Sequence, residues 1–284
     1  MRLGTLAAAA VVAWAPRLAA QELQTLTSAR QVHGETALTV HVTYAAGHFT
    51  LSPGAAGELY RMVLRYDEDK FTPVREYDAG AGVLRLGLTG RGHVSYSGRH
   101  EGEDVPSINL ALTPDVPLTL DIRMGAAEAD VELGGLALRG VRYATGASKS
   151  VVQFSRPNPL ACDSLSFEAG AAEFDAVALG NANCRHLQFD GGLGAVTLDF
   201  TGEWRSDATA DLHVQVGTLK LRLPRGLGVV ISLDRFLASF DQSGFTKRGD
   251  VYYSDNFSTA AHHLNVTVES ALGGIQVEWV GTPR

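Results

Sequence analysis

The stretch LQFDGGLGAVTLDF, residues 187–200, is two short alternating segments joined by glycines, and the chain nearly repeats it on both sides. Upstream stands LSFEAGAAEFDAVAL from Leu165; downstream stands LHVQVGTLKLRLPRG from Leu212. The shared pattern is apolar-x-apolar-x-(apolar or small)-Gly. It runs through Leu120, Ile122, Met124 and Gly125, then Val141, Tyr143, Thr145 and Gly146, then Leu165, Phe167, Ala169 and Gly170. Leu187, Phe189, Gly191 and Gly192 follow, then Leu212, Val214, Val216 and Gly217, and the closing glycines stand 21, 24, 22 and 25 residues apart. Copies from Ile231 and Leu264 carry Phe236 and Glu269 in the glycine slot, and LTVHVTYAAGHFTL from Leu38 has the same character.

Period-two alternation marks a strand with one buried face, and nothing here repeats at 3.6. A glycine at a fixed place after each strand marks a corner that needs positive φ or close backbone approach. A unit of about 22 residues cannot bury its own apolar face, but stacked units can. The chain is therefore expected to be an all-β, right-handed β-solenoid, with Leu165 over Leu187 and Phe167 over Phe189. A β-sandwich of hairpins also shows short strands and turn glycines, yet its strands seldom copy each other at a constant interval. Residues 118–284 are expected to hold the main stack, interrupted by an irregular insertion at 241–263. Residues 21–117 form an N-terminal β region whose polar, Gly- and Pro-punctuated loop leads into the coils.

The strings LTLDIRMGAAEADVELGGL, LSFEAGAAEFDAVALGNANCRHLQFDGGLGAVTLDFTG and LHVQVGTLKLRLPRGLGVVISLD resemble the toast-rack bacterial envelope proteins. That group is similar to the LiaF-like cell-wall stress-response proteins and to adhesin-like proteins with stacked strands. The segment YRMVLRYDEDKFTPVREYDAGAGVLRL resembles what precedes the repeats in that family. The resemblance implies a stack of strands and a non-catalytic part in the cell envelope. The chain departs from LiaF-like proteins in lacking membrane helices and in its N-terminus.

That N-terminus, MRLGTLAAAAVVAWAPRLAA, has a basic Arg2, an apolar stretch too short to span a bilayer, and small residues before Gln21. Residues 1–20 are expected to be a cleavable signal peptide, which makes the mature chain periplasmic or secreted. No later segment reaches the roughly 20 apolar residues of a membrane helix. Removing Arg2 and Arg17, with no acidic residue among the first 20, takes the formal charge from −7 to −9. An acidic chain with scattered Lys and Arg lacks the footprint of a nucleic-acid binder.

Catalytic patterns fail at the residues that would do the chemistry. In DGGLGAV the glycines lead into a strand instead of the helix that a dinucleotide loop requires, and Val196 stands where a calcium β-roll needs Asp. Glu168 and Asp190 occupy equivalent outward positions, followed by Gln215, and could form a glycosidase-like dyad. As a solvated face they need no such role, so a carbohydrate-active β-helix enzyme is the alternative reading. Adjacent His262 and His263 point to opposite faces of a strand and do not chelate one ion. No metal, no cofactor and no enzymatic activity are expected.

The better lead is the irregular insertion, where Lys247, Arg248, Tyr252, Tyr253 and Phe257 cluster. Aromatics mixed with charges compose a recognition surface, though the same residues could shield an open edge of the stack. The expected function is an extracytoplasmic interaction or adhesin-like module, linked to envelope stress response, with a protein or envelope polysaccharide as partner. Finally, Cys162 and Cys184 each stand three residues before a strand-opening leucine, and their separation of 22 equals the local repeat. Adjacent coils would bring them within disulfide reach in an oxidising compartment.

Overall fold

The computed structural model describes residues 23–91 and 105–281. The expected signal peptide, residues 1–20, and much of the polar loop before the coils lie outside the described residues. The strands are β1 (Gln24–Gln31), β2 (Leu38–Pro53), β3 (Glu58–Tyr66), β4 (Phe71–Asp78), β5 (Val83–Gly90), β6 (Ser107–Leu112), β7 (Leu118–Glu132) and β8 (Leu138–Gln153). They continue with β9 (Cys162–Val177), β10 (Cys184–Asp199), β11 (Ala208–Pro224), β12 (Gly228–Phe240), β13 (Phe245–Arg248), β14 (Val251–Ser254) and β15 (His263–Val280).

Eight long strands make the stack, all parallel, in the order β2, β7, β8, β9, β10, β11, β15, β12. Each bends in the middle, and the bend reverses the phase of alternation. In β9, Leu165, Phe167 and Ala169 are buried, then Gly170 and Ala171 are both exposed, then Ala172, Phe174 and Ala176 are buried. The two arms of one strand therefore face each other across the core. Phe167 and Phe174, on opposite arms of β9, lie with ring centroids 5.1 Å apart. Tyr143 and Phe189 on the flanking strands extend this aromatic column.

Parallel strands usually need crossovers of a dozen or more residues. Here segments 133–137, 154–161, 178–183 and 200–207 suffice, because each only spans the open side between two arms. Phe154, Leu179, Ala182 and Phe200 close that side with apolar contacts. Asn158 satisfies the backbone there: its amide accepts from Leu138 and Leu160 N–H and donates to the carbonyls of Leu138 and Ala182. Buried backbone groups left unpaired would each cost about 1–3 kcal/mol. Tyr143 O–H donates to Ser150 Oγ at 2.8 Å, and burial pushes its phenol above the ordinary range despite that bond. Thr145, the polar residue in the repeat's last apolar slot, buries a hydroxyl with no partner.

Pairing places Leu187 on Leu165 and Phe189 on Phe167, as the repeat predicts. It also corrects the frame of two copies. Ala210, not Leu212, pairs with Leu187, and Val266, not Leu264, follows it in β15. The cause is that the bend holds two glycine columns. A Cβ on Gly170 would sit 3.0 Å from the Gly146 carbonyl oxygen, a matter of close approach. Gly217 belongs to the second column, where φ is +141° and a Cβ would sit 1.9 Å from the Gly194 oxygen. Val216 therefore points outward, not into the core. The last sequence copy is also not the last coil, since β15 lies between β11 and β12.

The stack's ends are covered differently. At the N-terminal end β5 pairs with the first arm of β2 and β6 with the second; β4 then adds to β5, and β3 and β1 add to β6. The disulfide forms as the spacing predicts: Cys162 and Cys184 are register partners with Cα atoms 4.2 Å apart.

Two measurements check this register. Phe189→Ala removes a fully buried ring and should cost about 3–5 kcal/mol in chemical denaturation, whereas Gln188→Ala, on the outer face, should change stability by less than about 0.5 kcal/mol. Replacing both cysteines by alanine should cost about 3 kcal/mol in the chain-entropy model, and alkylation of the denatured, unreduced chain should add no mass.

Candidate functional site

The insertion between β12 and β15 is a hairpin. β14 runs antiparallel to the first arm of β12, pairing Tyr253 with Val230 and Tyr252 with Ile231, and β13 pairs with β14. The chain turns into it at Asp241, whose carboxylate accepts from Ser243 Oγ at 2.7 Å and from its backbone N–H at 3.0 Å. Those two bonds hold the Asp241 carboxyl below the usual range. Gly244 follows with φ +81°, in the region glycine adopts without strain. Trp279 Nε1 donates to the Ser243 carbonyl at 2.8 Å and anchors the turn to β15.

Alternation along β14 splits its aromatics. Tyr252 is buried, packed edge-on against Phe240 at 4.9 Å between centroids. Phe245 bridges Phe240 and Trp279 at 6.1 and 5.2 Å. Tyr253 lies on the other face, half-buried, against Phe257 at 5.2 Å, and Phe257 packs on His263 at 4.7 Å. Lys247 Nζ and Arg248 Cζ stand 5.5 Å from the Tyr252 and Tyr253 ring centroids, respectively, within cation–π range. The structure thus brings all five predicted residues onto one hairpin. It gives Tyr252 to the core and leaves Lys247 and Arg248 exposed, with Tyr253 and Phe257 partly so.

Glu168 and Asp190 are neighbours in register on the outward face of a sheet. Each is engaged by a cationic or polar group: Glu168 by Arg142, Asp190 by Gln188 at 2.8 Å and His213 at 3.0 Å. The next residue in this row is His213, not Gln215, and it also reaches Glu269 at 3.5 Å. Lys220 and Arg222 are paired with Glu278, and Arg222 also with the buried Asp199. His263 contacts the Phe257 carbonyl at 3.0 Å and Asp207 at 3.6 Å. Among the described residues no group of three or more His, Cys, Asp or Glu side chains could hold a metal ion, and no helix is long and apolar enough to cross a membrane.

A parallel stack of bent, glycine-cornered strands with a covered N-terminal end is the architecture that the repeat resembled, and the family comparison agrees. The family model for the N-terminal domain of toast_rack, DUF2154, matches residues 19–163. The chain belongs to the toast-rack family. Solved structures similar to it include a provisionally named cell adhesion protein from Clostridium sporogenes ATCC 15579, with 16% identity, TM-score 0.48, and coverage of 91% of this chain and 100% of that one. A provisionally named adhesin from Bacteroides fragilis NCTC 9343 shares 11% identity at TM-score 0.32, covering 89% of this chain and 97% of that one. No curated protein matches the chain.

The hairpin's structural share is measurable. Deleting Gln242–Ser258 uncovers Phe240 and the edge of β12, so the variant should lose stability and self-associate in light scattering. A lone Arg248→Ala, at an exposed position, should change stability by less than about 0.5 kcal/mol.

Proposed function

We propose that this chain is a non-enzymatic, extracytoplasmic module of the cell envelope that binds a protein or polysaccharide partner in the manner of an adhesin. Its contact surface is the hairpin insertion, through Lys247, Arg248, Tyr253 and Phe257, with Tyr252 fixing their placement from beneath. The observation that carries the reading is the placement of exposed Arg248 beside the half-exposed Tyr253 and Phe257, with exposed Lys247 over the buried Tyr252, on a hairpin paired to the stack. Stacked ring faces suit sugar rings and apolar side chains, and cations suit the acidic groups of envelope polymers. Pre-organisation by the underlying sheet lowers the ordering cost of binding.

Three further points support this reading. A disulfide between adjacent coils suits an oxidising compartment. The leader at residues 1–20 would deliver the chain there. Family membership favours an envelope role, within which we also place a link to envelope stress response. Glu168 and Asp190 do not favour the enzymatic alternative, being adjacent on an open face and each held by a neighbouring side chain.

Binding to immobilised envelope polysaccharide and envelope protein fractions tests the proposal. The combined variant Lys247→Ala, Arg248→Ala, Tyr253→Ala and Phe257→Ala, checked for unchanged circular dichroism, should bind at least about tenfold more weakly. Undiminished binding would sink the hairpin assignment. Polysaccharide cleavage lost in Glu168→Gln would establish the enzyme instead.

A further inference from the structure

At the bend, pairing aligns one residue of each long strand into a single file, buried at Ala46 in the first strand and exposed from Ala147 onward. Along the stack it reads Ala46, Ala126, Ala147, Ala171, Leu193, Val216, Leu272, Leu237. The second half holds every exposed large hydrophobic among the described residues: Leu193 at 60% exposure, Val216 at 42%, Leu272 at 51% and Leu237 at 62%. Scattered exposed leucines need no explanation, but a contiguous row marks an interaction site. At about 4.8 Å per strand the eight-residue file is about 34 Å long. Its alanine half adjoins a groove of about 250 Å³ lined by Gly47, His48, Ala127 and Ser148 among others.

We propose that this corner edge is a self-association surface on which a second copy of the chain docks antiparallel, about a two-fold axis between β9 and β10. The large half of each copy then lies on the small half of the other. Leu272 meets the partner subunit's Ala126, Val216 meets the partner subunit's Ala147, and Leu237 enters the grooved end beside the partner subunit's Gly47. A parallel pairing would set leucine against leucine and leave the alanine halves apart. The antiparallel one is self-complementary and closes as a two-fold dimer.

Charge fits the same arrangement. The row flanking the file on the first arms runs Thr43, Arg123, Ala144, Glu168, Asp190, His213, Glu269, Asp234. Reversal brings Glu269 opposite the partner subunit's Arg123 and Asp234 opposite the partner subunit's Thr43. Asp190 meets the partner subunit's Glu168 near the axis, where His213 contacts Asp190 at 3.0 Å and Arg142 pairs with Glu168. At about 34 Å the edge is as long as a standard interface of roughly 800 Å² per copy is across. The same acidic row sets the edge against anionic lipid.

Sedimentation velocity of the purified chain from about 1 to 100 µM should show a monomer–dimer equilibrium. Leu237→Ser with Leu272→Ser, both at exposed sites, should keep the circular dichroism and melting temperature and weaken the dimer at least about tenfold. Orientation is read with a short bismaleimide, since the native cysteines are closed in their disulfide. A mixture of Leu272→Cys and Ala126→Cys chains should cross-link, and neither should do so alone. A chain monomeric throughout, a dimer indifferent to the serine changes, or Leu272→Cys linking to itself would each overturn the proposal. So would a monomer that binds phosphatidylcholine vesicles through Leu237 and Leu272.

Discussion

In-register parallel pairing of strands that change phase at a bend is the constraint on which everything else rests. Without the phase change, each strand would have one buried face and the chain would need a second sheet to cover it. With it, each strand supplies two facing walls, and Phe167 meets Phe174 from the same strand. The bend in turn depends on the absence of side chains where strand backbones crowd, as at Gly194 and Gly217. The glycines therefore let the strands keep their hydrogen-bonded spacing through the corner, where any Cβ would force them apart.

The same geometry explains what was legible in the sequence. Leu165, Phe167 and their copies at 187 and 189 declare the register because both faces of the alternation recur at a constant interval. The disulfide is legible because that interval, in an oxidising compartment, sets Cys162 beside Cys184. The frame at Leu212 did not follow, because two glycine columns two residues apart look identical when only one glycine survives in a copy. The repeat frame therefore puts Val216 in a core slot and hides the apolar file at the corner: alternation counted through a bend gives the wrong face beyond it.

The hairpin residues were legible as a cluster but not as a geometry. Aromatic and basic residues in an irregular stretch suggested a surface, while the burial of Tyr252 depends on its pairing with Ile231 and its contact with Phe240. Those are long-range facts that no local pattern encodes. Neighbouring residues divide between the faces of one β-ribbon: Tyr252 packs on the stack and Tyr253 lies on the other side.

The position of β15 has a consequence for how such a chain can be made. In a simple repeat array each new coil adds to the one before, and the terminal coil can fray without disturbing the rest. Here β15 enters between two strands made before it, so β12 has no neighbour in the stack until residues 263–280 arrive. During synthesis this side of β12 stays open until then, a slow, non-local closure. Once closed, β15 is a keystone: a chain cut before residue 263 forfeits two strand interfaces together.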